Sequence, residues 1–344
     1  MKNRFAGGAI ACVGAVIGAG FASGREIYTF FTRYGIHSWW LILLAAGFMA
    51  FLCALCLREA SSTCMLRWCA LYQQKPKTVA VAARACATVL TAMIGGAMIS
   101  ASGHMVALLW NCEWAYPIGA VGTLFLAWIM GFGSVKPLTL VSGVLTSLML
   151  LLLLLLIARE PVPTVVSMQV SPSFGTLAWA AARAIGYASM NLTLSISVVC
   201  KCAKRTQRSA CRMAVLFGML LVVLLFVSNY LYLKHPELDD AAFPIVKLLS
   251  AFGQVGFVLS VALLYLAVLA TLIAILNTLR SAVEVPVHKP VLSTCITLGL
   301  PLLISVIGFT EIVQSLYAPA GLCCLLVVFV PLMNRKKGKK QRCS

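Results

Sequence analysis

Hydrophobic positions along this chain form long continuous stretches and seldom alternate with polar ones. Stretches of about 20 apolar residues, the length that a helix needs to cross roughly 30 Å of hydrocarbon, recur along the whole sequence. The pattern predicts an all-α integral membrane protein. We predict about ten transmembrane helices, at Gly7 to Tyr34, Trp39 to Leu57, Val79 to Leu109, Pro117 to Phe132, Leu138 to Ala158, Phe174 to Val199, Met213 to Leu233, Leu249 to Leu279, Val291 to Gly308 and Ile312 to Met333.

Composition supports a membrane protein and excludes a soluble domain. Hydrophobic residues make up 61% of the 344 positions, charged residues only 10%, and the mean hydropathy is +0.98. If the N-terminus lies inside, most of the 27 Lys and Arg residues fall in cytoplasmic segments, where membrane proteins retain them. We therefore predict that both termini are cytoplasmic. The net charge of +18 then meets lipid headgroups, and nucleic acid is not an expected partner.

A helix-start signal lies in the middle of the first predicted span. In Ser23-Gly24-Arg25-Glu26, the pattern Ser-x-x-Glu is typical of a capping box, in which the two side chains satisfy backbone N–H groups at a helix start. Gly18, Gly20 and Gly24 weaken the helix at the same place. We therefore predict that one helix ends and another begins here. Such a break at membrane depth indicates a binding site.

The predicted spans divide at the proline-containing connection 159–173, with five on each side. An odd number per half gives the second half the opposite orientation, which is the geometry of an inverted repeat. We predict a first repeat at 1–158, a second repeat at 174–334 and a basic cytoplasmic tail at 335–344. Repeat symmetry predicts a break in the sixth span near Gly186 to Asn191, although small residues there are also typical of helix packing.

The first span resembles that of a known family. Gly18 to Ile27, read as GAGFASGREI, followed by Phe30-Phe31 and Gly35, resembles the first helix of the YkvI-like bacterial membrane proteins. Those proteins are similar to the amino acid, polyamine and organocation (APC) transporter superfamily, which has a LeuT-type fold with broken first and sixth helices. The resemblance implies a secondary transporter in the bacterial cytoplasmic membrane that moves a small amine-bearing solute, such as an amino acid, by alternating access.

The resemblance also implies where the solute binds. Backbone N–H groups at the start of the second half-helix would bind a carboxylate, and unwound carbonyl groups would bind an ammonium. The expected substrate-binding residues are Gly18, Ala19, Gly20, Phe21, Ala22, Ser23, Gly24, Gly186, Tyr187, Ser189 and Asn191.

Ionisable residues inside the spans are candidates for gating and ion coupling, because charges are costly in hydrocarbon. Glu26 either completes the capping box or binds a proton. Arg25 would pair with Glu311 as an outer gate, as the resemblance suggests, and Arg183 either gates the site or extends toward headgroups. His104 and Thr271 are further coupling candidates, to a proton and to sodium respectively. A second hydroxyl beside Thr271 is missing, which disfavours sodium.

No enzyme motif, cofactor site or metal site is expected. The sequence lacks a phosphate-binding P-loop, His-Glu-x-x-His and Gly-x-Ser-x-Gly. The 14 cysteines have no spacing typical of a zinc site, and we interpret most of them as small buried apolar residues. A membrane receptor of the same fold that binds a ligand without moving it is the alternative to a transporter.

Overall fold

The computed structural model describes residues 3–63, 72, 75–110, 112–131, 148, 151, 174–202, 207–284 and 289–333. Within these ranges the chain folds into helices joined by short connections and contains no strand. The first part of the chain forms α1 (Asn3–Val16), α2 (Ala19–Ser23), α3 (Arg25–Phe30), α4 (Ser38–Thr63), α5 (Lys77–Leu109) and α6 (Ala115–Gly131). The second part forms α7 (Phe174–Lys201), α8 (Gln207–Leu233), α9 (Pro244–Leu249), α10 (Gly253–Glu284), α11 (Pro290–Ser305) and α12 (Phe309–Met333).

Every predicted span except the fifth coincides with described helices. The fifth span lies almost entirely outside the described residues, as do the whole connection 159–173 and the whole tail 335–344. The chain is thus a multi-pass helical membrane protein. In the described part, the helical segments long and apolar enough to cross a membrane are Thr32–Ala60, Lys77–Leu109, Ser209–Leu233, Pro244–Val283 and Phe309–Met333.

Large apolar side chains cover much of the outer surface of the helices. Val255, Val291 and Val306, for example, are 80%, 76% and 83% exposed. Exposure of such an apolar surface to water is unfavourable in free energy, whereas lipid tails solvate it. The exposed apolar surface therefore agrees with a membrane environment.

Two helices organise the packing of the others. α5 contacts α6, α10 and α11, while α7 contacts α1, α4 and α12. Glycines permit a close approach between α7 and α12. A Cβ on Gly321 would lie 1.9 Å from the carbonyl O of Gly186, and a Cβ on Gly186 would lie 2.6 Å from the carbonyl O of Ala318. Small residues allow this contact because helices in lipid associate through close packing.

The predicted break in the sixth span is wrong. α7 continues as a helix through the whole segment 186–191. Its polar side chains bond within the helix: Ser189 Oγ donates to the carbonyl O of Ile185 at 2.9 Å, and Asn191 Nδ2 donates to that of Tyr187 at 3.0 Å. Because these groups are satisfied locally and the glycine at 186 serves packing, α7 has no need to open.

The last helix departs from regular α-helix at two places. π-helical turns occupy Ile312–Leu316 and Leu325–Phe329. Such turns widen a helix locally and are frequent at functional sites. The first of them leads directly into Tyr317, which faces the break in the first span.

Candidate functional site

The first membrane segment is interrupted at two places, which confirms the predicted break. α1 ends at Val16, and Gly18 has extended backbone (φ −100°, ψ −170°) before α2 begins. α2 ends at Ser23, and Gly24 adopts the left-handed conformation (φ 81°, ψ −14°) before α3. A Cβ on Gly24 would also lie 2.2 Å from the hydroxyl O of Tyr232. Conformation and space therefore both require glycine at this position.

The predicted capping box does not form, although the break does. Gly24 is the N-cap of α3, and no side chain caps that helix. Ser23 Oγ accepts a hydrogen bond from the Arg25 N–H at 3.2 Å and donates to the carbonyl O of Gly20 at 2.7 Å. The Ser23 hydroxyl thus stabilises the turn. It also occupies the carbonyl O of Gly20, one of the residues predicted to bind the solute. The Glu26 side chain is left for other contacts.

Glu26 folds back over the break. Its Oε1 lies 1.9 Å from the position that a Cβ of Gly20 would take, so only glycine leaves room for the carboxyl group. The Glu26 carboxyl group lies close enough to the Tyr187 hydroxyl of α7 to interact with it. Glu26 is 6% exposed, and no ion pair among the described residues includes it. A buried carboxyl group therefore lies at the break without a cationic partner from the described part of the chain.

Two tyrosines interact with this carboxyl group, and phenylalanines pack against one of them. The Tyr187 ring packs against Phe30 and Phe31, with ring centroids 4.9 and 5.4 Å apart. Tyr317 is fully buried and close enough to Glu26 to interact electrostatically with it. The Tyr317 hydroxyl has no hydrogen-bond partner among the described residues. Since buried hydroxyls are seldom left unpaired, this one marks unused hydrogen-bonding capacity beside a buried carboxyl group.

Arg25 holds the connection between α8 and α9. Its side chain is buried, and Nη1 donates to the carbonyl O atoms of Asp239 and Ala241, the latter at 3.1 Å. Glu311 instead accepts a hydrogen bond from Ser315 Oγ, one turn along the same helix. Arg25 and Glu311 therefore have other partners in this structure, and their role as a gate stays a prediction.

Replacing Arg25 with Gln should loosen the α8–α9 connection. A hydrogen bond from a charged donor contributes about 1.5–3 kcal/mol, and the shorter amide does not reach both carbonyl groups. We expect amide hydrogen exchange within 236–243 to become at least about tenfold faster. Arg33→Gln is the matched control, because Arg33 is exposed and lies beyond α3. Equal exchange in the two variants would show that Arg25 does not hold this connection.

Arg183 joins three helices near the aromatic side chains. Its Nη2 donates to the carbonyl O of Gln314 at 2.9 Å, within the first π-helical turn of α12. Its guanidinium group also lies over the Phe30 ring of α3, 5.5 Å from the centroid. These contacts place Arg183 where α3, α7 and α12 meet. A gating role fits this position and stays a prediction.

The two other coupling candidates form local contacts. Thr271 Oγ1 donates to the carbonyl O of Ala267 within α10, a helix that contacts α2. His104 is exposed, and its ring packs against Tyr116 with centroids 4.9 Å apart. Neither residue forms a hydrogen bond to the break within the described structure. Their roles in ion coupling stay predictions.

Sequence reasoning missed Tyr317 and Tyr232, which contribute to the surroundings of the break. Both are buried tyrosines inside predicted spans. The hydroxyl of a buried tyrosine usually needs a polar partner or a ligand, so a tyrosine inside a predicted span was the sequence feature that could have identified them. The sequence could not show which parts of the first span they approach, because the contacts join distant segments.

The polar side chains close to the break include the Glu26 carboxyl group and the Tyr187 and Tyr317 hydroxyls. Among the described residues, no group of three or more His, Cys, Asp or Glu side chains could hold a metal ion. Divalent transition metals are usually bound by several such side chains.

The fold is similar to that of a bacterial membrane transporter. Crystal structures of two mutants of the manganese transporter from Eremococcus coleocola match this chain with TM-scores of 0.62 and 0.58 at 16% identity. Each match covers 95% of this chain and 77% of the other. No protein-family profile and no curated protein sequence matches the chain. The similarity shows that this chain shares the fold of those proteins.

Proposed function

We propose that this chain is a secondary transporter that moves a small amine-bearing solute, with an amino acid as the first candidate, across the bacterial cytoplasmic membrane by alternating access. The transporter fold supports the class of function. The doubly interrupted first segment supports the location of the site, because non-helical backbone at membrane depth is tolerated only where protein buries it or where it lines a cavity.

One observation carries the choice of an amine. Glu26 is a buried carboxyl group without a cationic partner among the described residues. Burying an ionised carboxylate without a cationic partner costs several kcal/mol of folding free energy, and the ammonium group of a solute would neutralise its charge. The ammonium would donate to Glu26 and to the unused Tyr317 hydroxyl O.

Manganese is the alternative cargo that the similar structures raise. A dication requires more negative charge and more ligands than a single carboxyl group provides. The described residues offer no cluster of His, Cys, Asp and Glu for such a site. We therefore favour an organic cation over a divalent metal as the solute, because the site offers one carboxyl group and tyrosine hydroxyls.

The finer fold assignment is also part of the proposal. We assign the chain to the YkvI-like group of the APC superfamily, with a ten-helix LeuT-type inverted repeat and both termini in the cytoplasm. The broken first span and the distribution of Lys and Arg support this assignment. The continuous α7 departs from the symmetry of such a repeat. A proton on Glu26, or sodium near Thr271, would supply ion coupling.

A thermal-shift screen of the detergent-purified protein tests this function. Amino acids, simple amines, carboxylates and MnCl₂ are compared in sodium and choline buffers. A ligand at about 100 times its dissociation constant stabilises the fold by about 2.7 kcal/mol, which is measurable. We expect at least one amine-bearing solute to stabilise the wild type, and MnCl₂ to have no effect.

Two glycine variants locate the site in the same screen. Gly20→Ala places a methyl group where the Glu26 carboxyl group lies, so the shift should disappear. Gly14→Ala is the matched control on α1, since a Cβ there meets no atom within 4 Å, and the shift should persist. An amine shift that survives Gly20→Ala would place the site elsewhere, and a shift with MnCl₂ alone would overturn the choice of solute.

A further inference from the structure

Two cysteine side chains face each other between α5 and α12. Cys86 Sγ lies 3.5 Å from Cys324 Sγ. A disulfide requires about 2.05 Å, so the sulfur atoms have to approach by only about 1.5 Å. We propose that Cys86 and Cys324 form an oxidation site, at which a peroxide converts the two thiols into an intramolecular disulfide that ties α5 to α12.

The surroundings allow both entry and movement. Cys86 is partly exposed near the start of α5, whereas Cys324 is fully buried, so the Cys86 sulfur is the more accessible of the two in the detergent-purified protein. The second π-helical turn of α12 begins at Leu325, directly after Cys324. Regular α-helical bonding is therefore already interrupted where the backbone has to adjust. Nearby, the Tyr72 hydroxyl donates to the carbonyl O of Val328 at 2.7 Å and fixes the next turn of α12.

The chemistry balances with one hydrogen peroxide per disulfide. The Cys86 thiol loses its proton, its sulfur attacks one peroxide oxygen, the O–O bond breaks, and the departing hydroxide takes up that proton and leaves as water, so Cys86 becomes a sulfenic acid. The Cys324 thiol then loses its proton, its sulfur attacks the Cys86 sulfur, the S–O bond breaks, and the departing hydroxide takes up the Cys324 proton and leaves as the second water. The two sulfur atoms together lose two electrons, which the peroxide accepts. A dithiol reductant reverses the reaction by thiol–disulfide exchange.

This pair differs from the other described thiols. Cys211 and Cys295 are exposed on the surfaces of α8 and α11. Cys12, Cys53, Cys56 and Cys200 are all buried. Cys86 and Cys324 instead form a thiol pair with one partly exposed member. The proposal concerns the helix packing alone and does not depend on the solute.

Peroxide treatment of the detergent-purified full-length chain tests the site. After oxidation, free thiols are blocked with N-ethylmaleimide, and peptides are mapped by mass spectrometry before and after reduction. We expect a peptide pair linked through Cys86 and Cys324 that separates on reduction. The melting temperature should also rise on oxidation, because the cross-link closes a long loop of the unfolded chain.

Three variants separate this site from general oxidation. Cys86→Ser and Cys324→Ser should each lose the linked peptides and the rise in melting temperature, and using both guards against a folding defect in one. Cys211→Ser is the matched control and should retain both effects. If peroxide modifies Cys211 but leaves Cys86 and Cys324 fully alkylatable, or if Cys86 links to a different cysteine, the proposal is wrong.

Discussion

Glu26→Gln should abolish solute binding while leaving the empty protein at least as stable as the wild type. The amide keeps the size of the side chain and its contact with Tyr187, but it cannot balance the charge of an ammonium. Removing one partner of a buried charge pair costs about 2–5 kcal/mol, so the dissociation constant should rise by about 30-fold or more. Titration calorimetry with the solute that gives the largest thermal shift measures this change.

Stability and a matched control separate a binding defect from a folding defect. In the empty protein, Glu26→Gln replaces a buried carboxyl group that has no cationic partner among the described residues with a neutral amide, so the melting temperature should not fall. Glu311→Gln is the control, because that carboxyl group is exposed and bonds to Ser315. It should keep the wild-type dissociation constant. Wild-type affinity in Glu26→Gln would contradict an ammonium site at this residue.

Gly321→Ala should lower the free energy of unfolding by about 3 kcal/mol, the upper end of the usual cost of overpacking. The new methyl group would lie 1.9 Å from the carbonyl O of Gly186. That atom belongs to the backbone of α7, so no side-chain rotation relieves the contact, and α12 has to move away. The loss should appear as a lower melting temperature in detergent.

Gly299→Ala is the control for this packing effect. A Cβ on Gly299 of α11 meets no atom within 4 Å, and alanine has the higher helix propensity. The melting temperature of this variant should stay the same or rise slightly. Similar melting temperatures for Gly321→Ala and Gly299→Ala would contradict the close contact between α7 and α12.

The break in the first span could be predicted because its causes are local. A long apolar stretch has to be helical in lipid, and Gly18 and Gly24 weaken that helix where polar residues follow. The contacts at the break could not be predicted in the same way. Ser23 and Glu26 match a capping box, but Gly24 takes the cap position, and Glu26 turns toward Tyr187, a residue far away in sequence.

Repeat symmetry was a weaker guide than local sequence. It predicted a break at 186–191, where the same residues support a continuous helix through internal hydrogen bonds. The partner of Arg25 was also beyond prediction, because the main-chain carbonyl groups that it binds have no side-chain signature. Such contacts depend on tertiary packing, which cannot be predicted from local patterns in a single sequence.

Uptake of a labelled amino acid into proteoliposomes tests the central claim most directly. The solute found by thermal shift is supplied outside vesicles that contain wild-type protein, Glu26→Gln or Glu311→Gln. If the chain is a transporter with its site at the broken span, wild type and Glu311→Gln accumulate the label and Glu26→Gln does not. If the wild type binds the solute in detergent but moves none of it in vesicles, the protein is a ligand receptor and the transport function is wrong.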